Sequence, residues 1–152
     1  MNLDYDKLRT AILDAARLSF TNLLEAHPDE QFYAFSLYTD DDVTSVYSSA
    51  NSEEEYQQAI IKFKEAFDED EMEKADLNSL RWAYVEWAYD CFGKVYFEDL
   101  NNLLGDINQN KAEMTINDFI MHKKQVLNAL ITALYDLNKE GLFGDGKDRE
   151  QV

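Results

Sequence analysis

The fold is decided by one aromatic stretch near the middle of the chain, Leu77-Asn78-Ser79-Leu80-Arg81-Trp82-Ala83-Tyr84-Val85-Glu86-Trp87-Ala88-Tyr89-Asp90-Cys91-Phe92. This stretch holds both tryptophans, two of the nine tyrosines and the only cysteine. Because a large ring buries roughly 150–250 Å², we expect the other elements to pack against it. The stretch also places Arg81 and Glu86 in an apolar run. Two interpretations stay open, an ion pair at the rim of the core or a recognition surface rich in Trp, Tyr and Arg.

The composition predicts one folded, strongly acidic domain. A chain of 152 residues has the length of a single domain, and 45% hydrophobic and 13% aromatic residues are enough to form a core. Acidic residues outnumber basic ones by 31 to 14, which gives a formal charge of -17. This charge disfavours nucleic acid and anionic membranes as partners and favours basic proteins, although solubility alone also accounts for it.

The single cysteine and the first residues predict a cytoplasmic location. Cys91 alone cannot form an intramolecular disulfide or a multi-cysteine metal site, and this is typical of a reducing compartment. The first residues lack the features of a secretion signal, and no apolar run approaches the roughly 18 residues of a membrane helix.

The first half of the chain predicts a helix, a hairpin and a second helix. Apolar residues recur at helical spacing from Asp4 to about Ala26, and Pro28 ends this helix. Residues 31–39 and 43–47 predict two strands joined by a turn at Asp40, Asp41 and Asp42. Ser52 to Glu55 has the spacing of a capping box, and the stripe Tyr56, Ile60, Phe63 and Phe67 follows it. The block Asp68, Glu69, Asp70 and Glu71 is interpreted either as a solvated connector or as a site for a basic partner.

The second half predicts more helix. We expect a short strand at residues 80–84, helix from Glu86 with an interruption at Gly93 and an end at Gly105, and a loop at residues 106–113. Thr115 resembles a cap for the longest helix, whose apolar arc is Phe119, Ile120, Val126, Leu127, Leu130, Ile131, Leu134 and Leu137. The expected fold class is α+β, with a small antiparallel sheet packed against several helices. Residues 1–143 form one globular domain and residues 144–152 a polar tail.

Few residues offer chemistry, so we predict no catalytic, metal-binding or cofactor-binding residues. His27 and His122 lack the neighbours of a helical zinc motif, and Cys91 lies among bulky residues typical of a buried thiol. The aspartates at the turn lack the Gly and Glu spacing of a calcium loop. Phosphate-binding and nucleophile-elbow motifs are absent from the sequence.

The order of features resembles the bacterial domain-of-unknown-function family 4303. The matching pieces are His27-Pro28-Asp29-Glu30, Tyr33-Ala34-Phe35, Leu37-Tyr38-Thr39-Asp40, Asn51-Ser52-Glu53-Glu54, Arg81-Trp82 with Glu86-Trp87, and Gly141-Leu142-Phe143-Gly144 before Arg149. In the family pattern, the residues between the two Trp-containing pairs often include Ser-Pro, whereas here they are Ala83-Tyr84-Val85. Family members also tend to run on past the Arg into a last strand, while this chain stops at Val152, and two expectations stay open: its sheet lacks that strand or reaches it differently.

The resemblance implies no catalytic residues, because none are established for the family. It implies a gene neighbourhood like those of bacterial toxins and their immunity proteins. The expected function is therefore a non-catalytic protein that neutralises a basic toxin domain. The acidic residues at 40–42 and 68–71 would capture the partner, and Arg81, Trp82, Glu86 and Trp87 would anchor it. The alternatives are a hydrolase-like enzyme with an aromatic cleft around Glu86, or a homodimeric structural protein.

Overall fold

A three-stranded antiparallel sheet and six α-helices make up the part of the chain that the computed structural model describes, residues 4–74 and 76–144. The helices are α1 (Tyr5–Ala26), α2 (Glu53–Ala66), α3 (Glu69–Lys74), α4 (Leu77–Trp82), α5 (Glu98–Gln109) and α6 (Ile116–Lys139). The strands are β1 (Phe32–Thr39), β2 (Val46–Ser52) and β3 (Tyr89–Asp90), in the spatial order β1-β2-β3. The α+β class predicted from the sequence is confirmed. The predicted polar tail lies, apart from Gly144, outside the described residues.

One hydrophobic core joins α1, α5 and α6 to one face of the sheet. Its largest fully buried side chains include Phe20 of α1 and Phe97, which precedes α5. Phe20 meets Phe35 of β1 edge to face at 5.2 Å between ring centroids. Alanines are buried on both long helices, Ala15 and Ala16 on α1 and Ala129 and Ala133 on α6. Because alanine is small, this composition suits close packing of the two helices.

Helix starts follow the predicted caps in part. The hydroxyl of Thr115 accepts from the amide of Asp118, whose carboxylate accepts from the Thr115 amide in return, so α6 has a full capping box. Ser52 likewise accepts from the amide of Glu55 at 3.2 Å. Within the described residues only this serine half of the box forms on α2. The side chain of Glu55 lies in a surface groove instead.

The returning strand lies further along the chain than predicted. Residues 43–45 belong to the turn, and β2 continues to Ser52, with Phe35 opposite Ala50. The predicted strand stopped at Tyr47, because serine and asparagine, which fill residues 48–52 apart from Ala50, are typical of turns. Both faces of β2 are covered, and its buried hydroxyls are hydrogen-bonded, as where Ser48 donates to the carbonyl of Phe92 at 2.6 Å. Tertiary packing therefore decides the structure here.

The aromatic stretch differs most from the prediction. Residues 80–82 belong to α4 rather than to a strand, and residues 84–86 form a 3-10 turn. The expected helix from Glu86 is instead β3 and a turn, because Cys91 and Gly93 both have positive φ and break helical geometry. Helix α5 passes through Gly105 to Gln109, so the predicted loop at residues 106–113 is helical in its first part.

The buried face of α6 is narrower than the predicted arc. Val126, Leu130 and Leu137 are buried as expected. Ile120, Leu127 and Ile131 are exposed on another side of the helix. The spacing of apolar residues shows that two adjacent faces of α6 are apolar. It does not show which of these faces packs against the core.

Candidate functional site

A groove on the surface lies between α2 and residues 80–88, and we call it the α2 groove. It has a volume of about 380 Å³ and is lined by Asn51, Glu55, Ala59, Lys62, Phe63, Ala66, Phe67, Leu80, Glu86 and Ala88. The ring centroids of Phe63, in the last turn of α2, and Phe67, the residue that follows α2, lie 4.4 Å apart. Glu55, Lys62 and Glu86 add charge to an otherwise mainly apolar lining. Such a groove can hold an apolar side chain next to a cation.

The wall of this groove is held in place by Arg81 of α4. Its guanidinium donates to both carboxylate oxygens of Glu53 and lies 4.0 Å from the ring centroid of Tyr33. The side chain of Arg81 is only 12% exposed, whereas that of Glu53 is 32% exposed, so the guanidinium is largely buried and the carboxylate is partly solvated. Arg81 therefore pairs with Glu53 rather than with Glu86, and it fixes α4 against the start of α2.

The backbone carbonyl of Arg81 is a second fixed point. It accepts from the indole nitrogen of Trp87 and from the hydroxyl of Tyr33, each at 2.9 Å. Trp87 is 8% exposed and belongs to the interior, whereas Trp82 is 39% exposed and lies edge to face with Tyr33. Burial raises the pKa of the Tyr33 hydroxyl, although Asn51 donates to it. Of the two tryptophans, Trp82 is thus the one with an accessible ring.

A polar cluster ties the end of α1 to the sheet. The carboxylate of Glu30 accepts from Ser52 at 2.6 Å and from Tyr89 at 2.6 and 2.8 Å, and it pairs with His27 at 3.0 Å. Burial opposes ionisation of Glu30, but the hydrogen bonds from Ser52 and Tyr89 outweigh it and hold the pKa below the usual value of 4.5. Burial, and then the bond to Glu30, raises the pKa of Tyr89. The sequence placed His27 at the end of the first helix and His27 to Glu30 among the family-like pieces, but it did not predict this cluster.

The match to a family model covers residues 12–152 and carries the description Domain of unknown function (DUF4303). The chain belongs to the DUF4303 family. No curated protein and no solved structure matches it. The resemblance found in the sequence is thereby confirmed, and the pieces that carried it have structural roles in this DUF4303 chain, because they include Glu30, Glu53, Arg81 and Trp87.

The aspartates of the turn in the DUF4303 chain serve different purposes. Asp40 accepts from the amides of Asp42 and Thr44 and from the hydroxyls of Thr44 and Ser45. Burial opposes ionisation of Asp40, but these bonds, those from Thr44 first, lower its pKa. Asp42 pairs with Lys111 at 2.8 Å, and Asp41 is exposed. Asp40 and Asp42 therefore make contacts within the protein, and Asp41 is exposed to solvent.

The second acidic block starts α3. Asp68 and Glu71 exchange hydrogen bonds, each accepting from the other's amide. Glu69 and Asp70 are exposed in the first helical turn. The block directly follows Phe67, which lines the α2 groove. Its acids are accessible, as a site for a basic partner requires.

Of the groups considered for catalysis, His122 and Cys91 lie apart from the groove and Glu86 lies in it. His122 is buried on α6, where its Nδ1 lies 3.3 Å from the hydroxyl of Tyr5, and burial lowers its pKa. The Cys91 thiol lies 3.1 Å from the hydroxyl of Tyr38. Burial, and then the bonds to Cys91 and Asp90, raises the pKa of Tyr38. Glu86 lies in the groove, but neither Trp82 nor His122 lines it with Glu86.

Within the described ranges, no group of three or more His, Cys, Asp or Glu side chains is arranged to hold a metal ion. No helix among the same residues has both the length and the apolar character needed to cross a bilayer.

Proposed function

We propose that this chain is a non-catalytic bacterial interaction protein that binds and neutralises a basic toxin domain through the α2 groove. The observation that carries the proposal is the position of Glu55 and Glu86 in a mainly apolar groove. The exposed acids at residues 68–71 directly follow Phe67, which lines the groove. Aromatic anchors with charge around them are typical of protein-binding hot spots.

The lining of the groove supports a particular shape of ligand. Phe63 and Phe67 suit an apolar side chain of the partner, and Glu55 and Glu86 suit a lysine or arginine beside it. Lys62 also lines the groove and repels a segment that is cationic along its whole length. An amphipathic segment with one apolar face and one basic edge therefore fits best.

The overall charge supports rapid encounter with such a partner. A formal charge of -17 attracts a basic protein over distances set by the Debye length, about 8 Å at physiological ionic strength. The exposed Glu69, Asp70 and Asp41 contribute to this field. Binding should therefore weaken as salt is added.

The toxin domain and the cellular location rest on further considerations. A neighbourhood of toxin and immunity genes is what the family resemblance implies, and an acidic protein suits the neutralisation of a basic toxin. The cytoplasm is the proposed location, which is consistent with the free thiol of Cys91. A sequenced gene neighbourhood with an adjacent basic toxin would support this assignment, and conserved unrelated neighbours would contradict it.

The experiment measures binding of a fluorescently labelled amphipathic peptide of leucine and lysine by anisotropy at low salt. The double variant Glu55→Gln/Glu86→Gln should weaken binding at least about tenfold, because it removes both groove carboxylates. Glu65→Gln is the matched control, since Glu65 is an exposed acid of α2 outside the groove lining. Equal weakening by both variants would show non-specific attraction and would contradict the proposal.

A further inference from the structure

Helix α6 has a second apolar face that points away from the core. Its members are Ile116, Ile120, Leu127, Ile131 and Tyr135, with exposures of 81%, 44%, 43%, 68% and 58%. Together with the exposed Lys124 they form one row along the helix, which we call the α6 stripe. Most surface apolar residues occur singly, so a row of five on one helix indicates an interaction surface.

The spacing within the stripe is the same in both directions. Its six members, Lys124 included, follow one another at steps of four, four, three, four and four residues. A two-fold axis therefore places Ile116 opposite Tyr135 of a second copy, Ile120 opposite Ile131, and Lys124 opposite Leu127. An isologous interface requires this kind of self-complementarity.

The ends of the stripe also match in shape. Ile116 is the most exposed large apolar residue of the described part of the chain. Tyr135 borders a groove of about 310 Å³ between α6 and β1 that is also lined by Phe32, Phe35, Leu134 and Phe143. Antiparallel pairing brings Ile116 of the second copy to this groove. Each copy thus supplies one projecting residue and one apolar recess.

Charge favours contact between copies at this helix over contact elsewhere. Helix α6 carries Lys123, Lys124 and Lys139 against Asp118 and Asp136, whereas the whole chain has a formal charge of -17. Lys124 can lay its methylene chain over Leu127 of the second copy and keep its ammonium in water. With three lysines and two aspartates, α6 has a local charge of +1, so the helix itself adds no net negative charge to the contact between two acidic copies.

We infer that the α6 stripe is the interface of an antiparallel homodimer. The inference is independent of the proposed function. The stripe is about 28 Å long and a helix about 10 Å wide, so each copy buries far less than the roughly 800 Å² of a standard interface. The dimer is therefore weak and forms in concentrated solution. Salt strengthens it by screening the repulsion between two acidic copies, whereas salt weakens binding of a basic partner.

Sedimentation velocity of the full chain between about 10 µM and about 1 mM tests the dimer. The expected result is a shift toward dimer with concentration and with added salt. Ile120→Gln/Ile131→Gln should weaken the association at least about tenfold, and Val95→Gln, at an equally exposed site outside the stripe, should leave it unchanged. A monomer throughout this range, or a dimer unaffected by the double variant, would overturn the inference.

Disulfide trapping tests the antiparallel register in a Cys91→Ser background. A mixture of the Ile120→Cys and Ile131→Cys chains should form a mixed disulfide at least about tenfold faster than either chain alone, because residue 120 lies about 16 Å from its own copy in the pairing. Equal rates for the mixture and the single variants would overturn the antiparallel register. Circular dichroism of every variant confirms that its fold is intact.

Discussion

Arg81 and Glu53 form a two-pronged ion pair across 28 residues of sequence, and this pair joins α4 to the start of α2. The Arg81 guanidinium is also stacked on Tyr33, 4.0 Å from its ring centroid. The pair therefore holds together the two walls of the α2 groove.

Arg81→Lys should lower the free energy of unfolding by about 1–3 kcal/mol, because lysine keeps the charge but loses the fork and the stacking. The matched control is Arg17→Lys. Arg17 makes a similar fork with Glu140, but both side chains are well exposed. This control should cost less than about 1 kcal/mol. Urea unfolding measures both changes, and an equal cost at the two sites would contradict the structural role of Arg81.

Gly93→Ala should destabilise the fold by about 2–3 kcal/mol. Gly93 has a φ of +67°, and an added Cβ would lie 2.6 Å from Oγ of Ser19 and 3.1 Å from its Cα. That hydroxyl is fixed, since Ser19 donates to the carbonyl of Phe92 at 2.8 Å.

Gly105→Ala is the control for this prediction, and it should stabilise the fold rather than destabilise it. Gly105 lies within α5 and has no atom within 4 Å of an added Cβ. Alanine there should stabilise by about 0.5–1 kcal/mol. Thermal and urea unfolding report both values. If Gly93→Ala also raised the free energy of unfolding, the turn at Gly93 would not be tightly packed.

Glu30→Gln should destabilise the protein by about 1–2 kcal/mol at pH 7, because the amide cannot accept all the bonds that the carboxylate accepts. The pKa of Glu30 is lowered in the fold, so its contribution to stability is present above about pH 4.5 and is lost as the pH falls through the folded-state value. The difference between wild type and variant should therefore shrink below pH 4. A constant difference from pH 7 to pH 3 would contradict this assignment.

His122→Phe should flatten the pH dependence of stability between about pH 7 and pH 5. Burial lowers the pKa of His122, so the folded protein favours the neutral ring. Stability is complete above the unfolded value of about 6.5 and is lost as the pH falls toward the folded value. Urea unfolding at pH 7.5 and pH 5.5 gives the slope. If the variant kept the wild-type dependence of the free energy of unfolding on pH, groups other than His122 would be responsible for it.

The long helices and the hairpin could be predicted because their signals are local. Helix α1 shows its apolar period over 22 residues and ends before Pro28, and α6 shows both its period and its Thr115 cap. The acidic turn between β1 and β2 was also recognisable, although β2 begins only at Val46.

The groove could not be predicted, because the contacts that build it are distant in sequence. Arg81 is closer in sequence to Glu86 than to Glu53, yet only the fold decides which carboxylate it meets. The β2 serines favour loops by propensity and form a strand through burial. At the end of the stretch 77–92, positive φ at Cys91 and at the following Gly93 gives a turn that periodicity does not detect.

The most direct test of the proposed function is to map where a basic probe binds, by amide chemical shifts of the isotope-labelled chain at low salt. The probe is the amphipathic leucine and lysine peptide. Binding in the α2 groove predicts saturable shifts concentrated in α2 and in residues 80–88, which are lost in Glu55→Gln/Glu86→Gln and kept in Glu65→Gln. Shifts spread evenly over all acidic surfaces, or the same shifts in both variants, would contradict it.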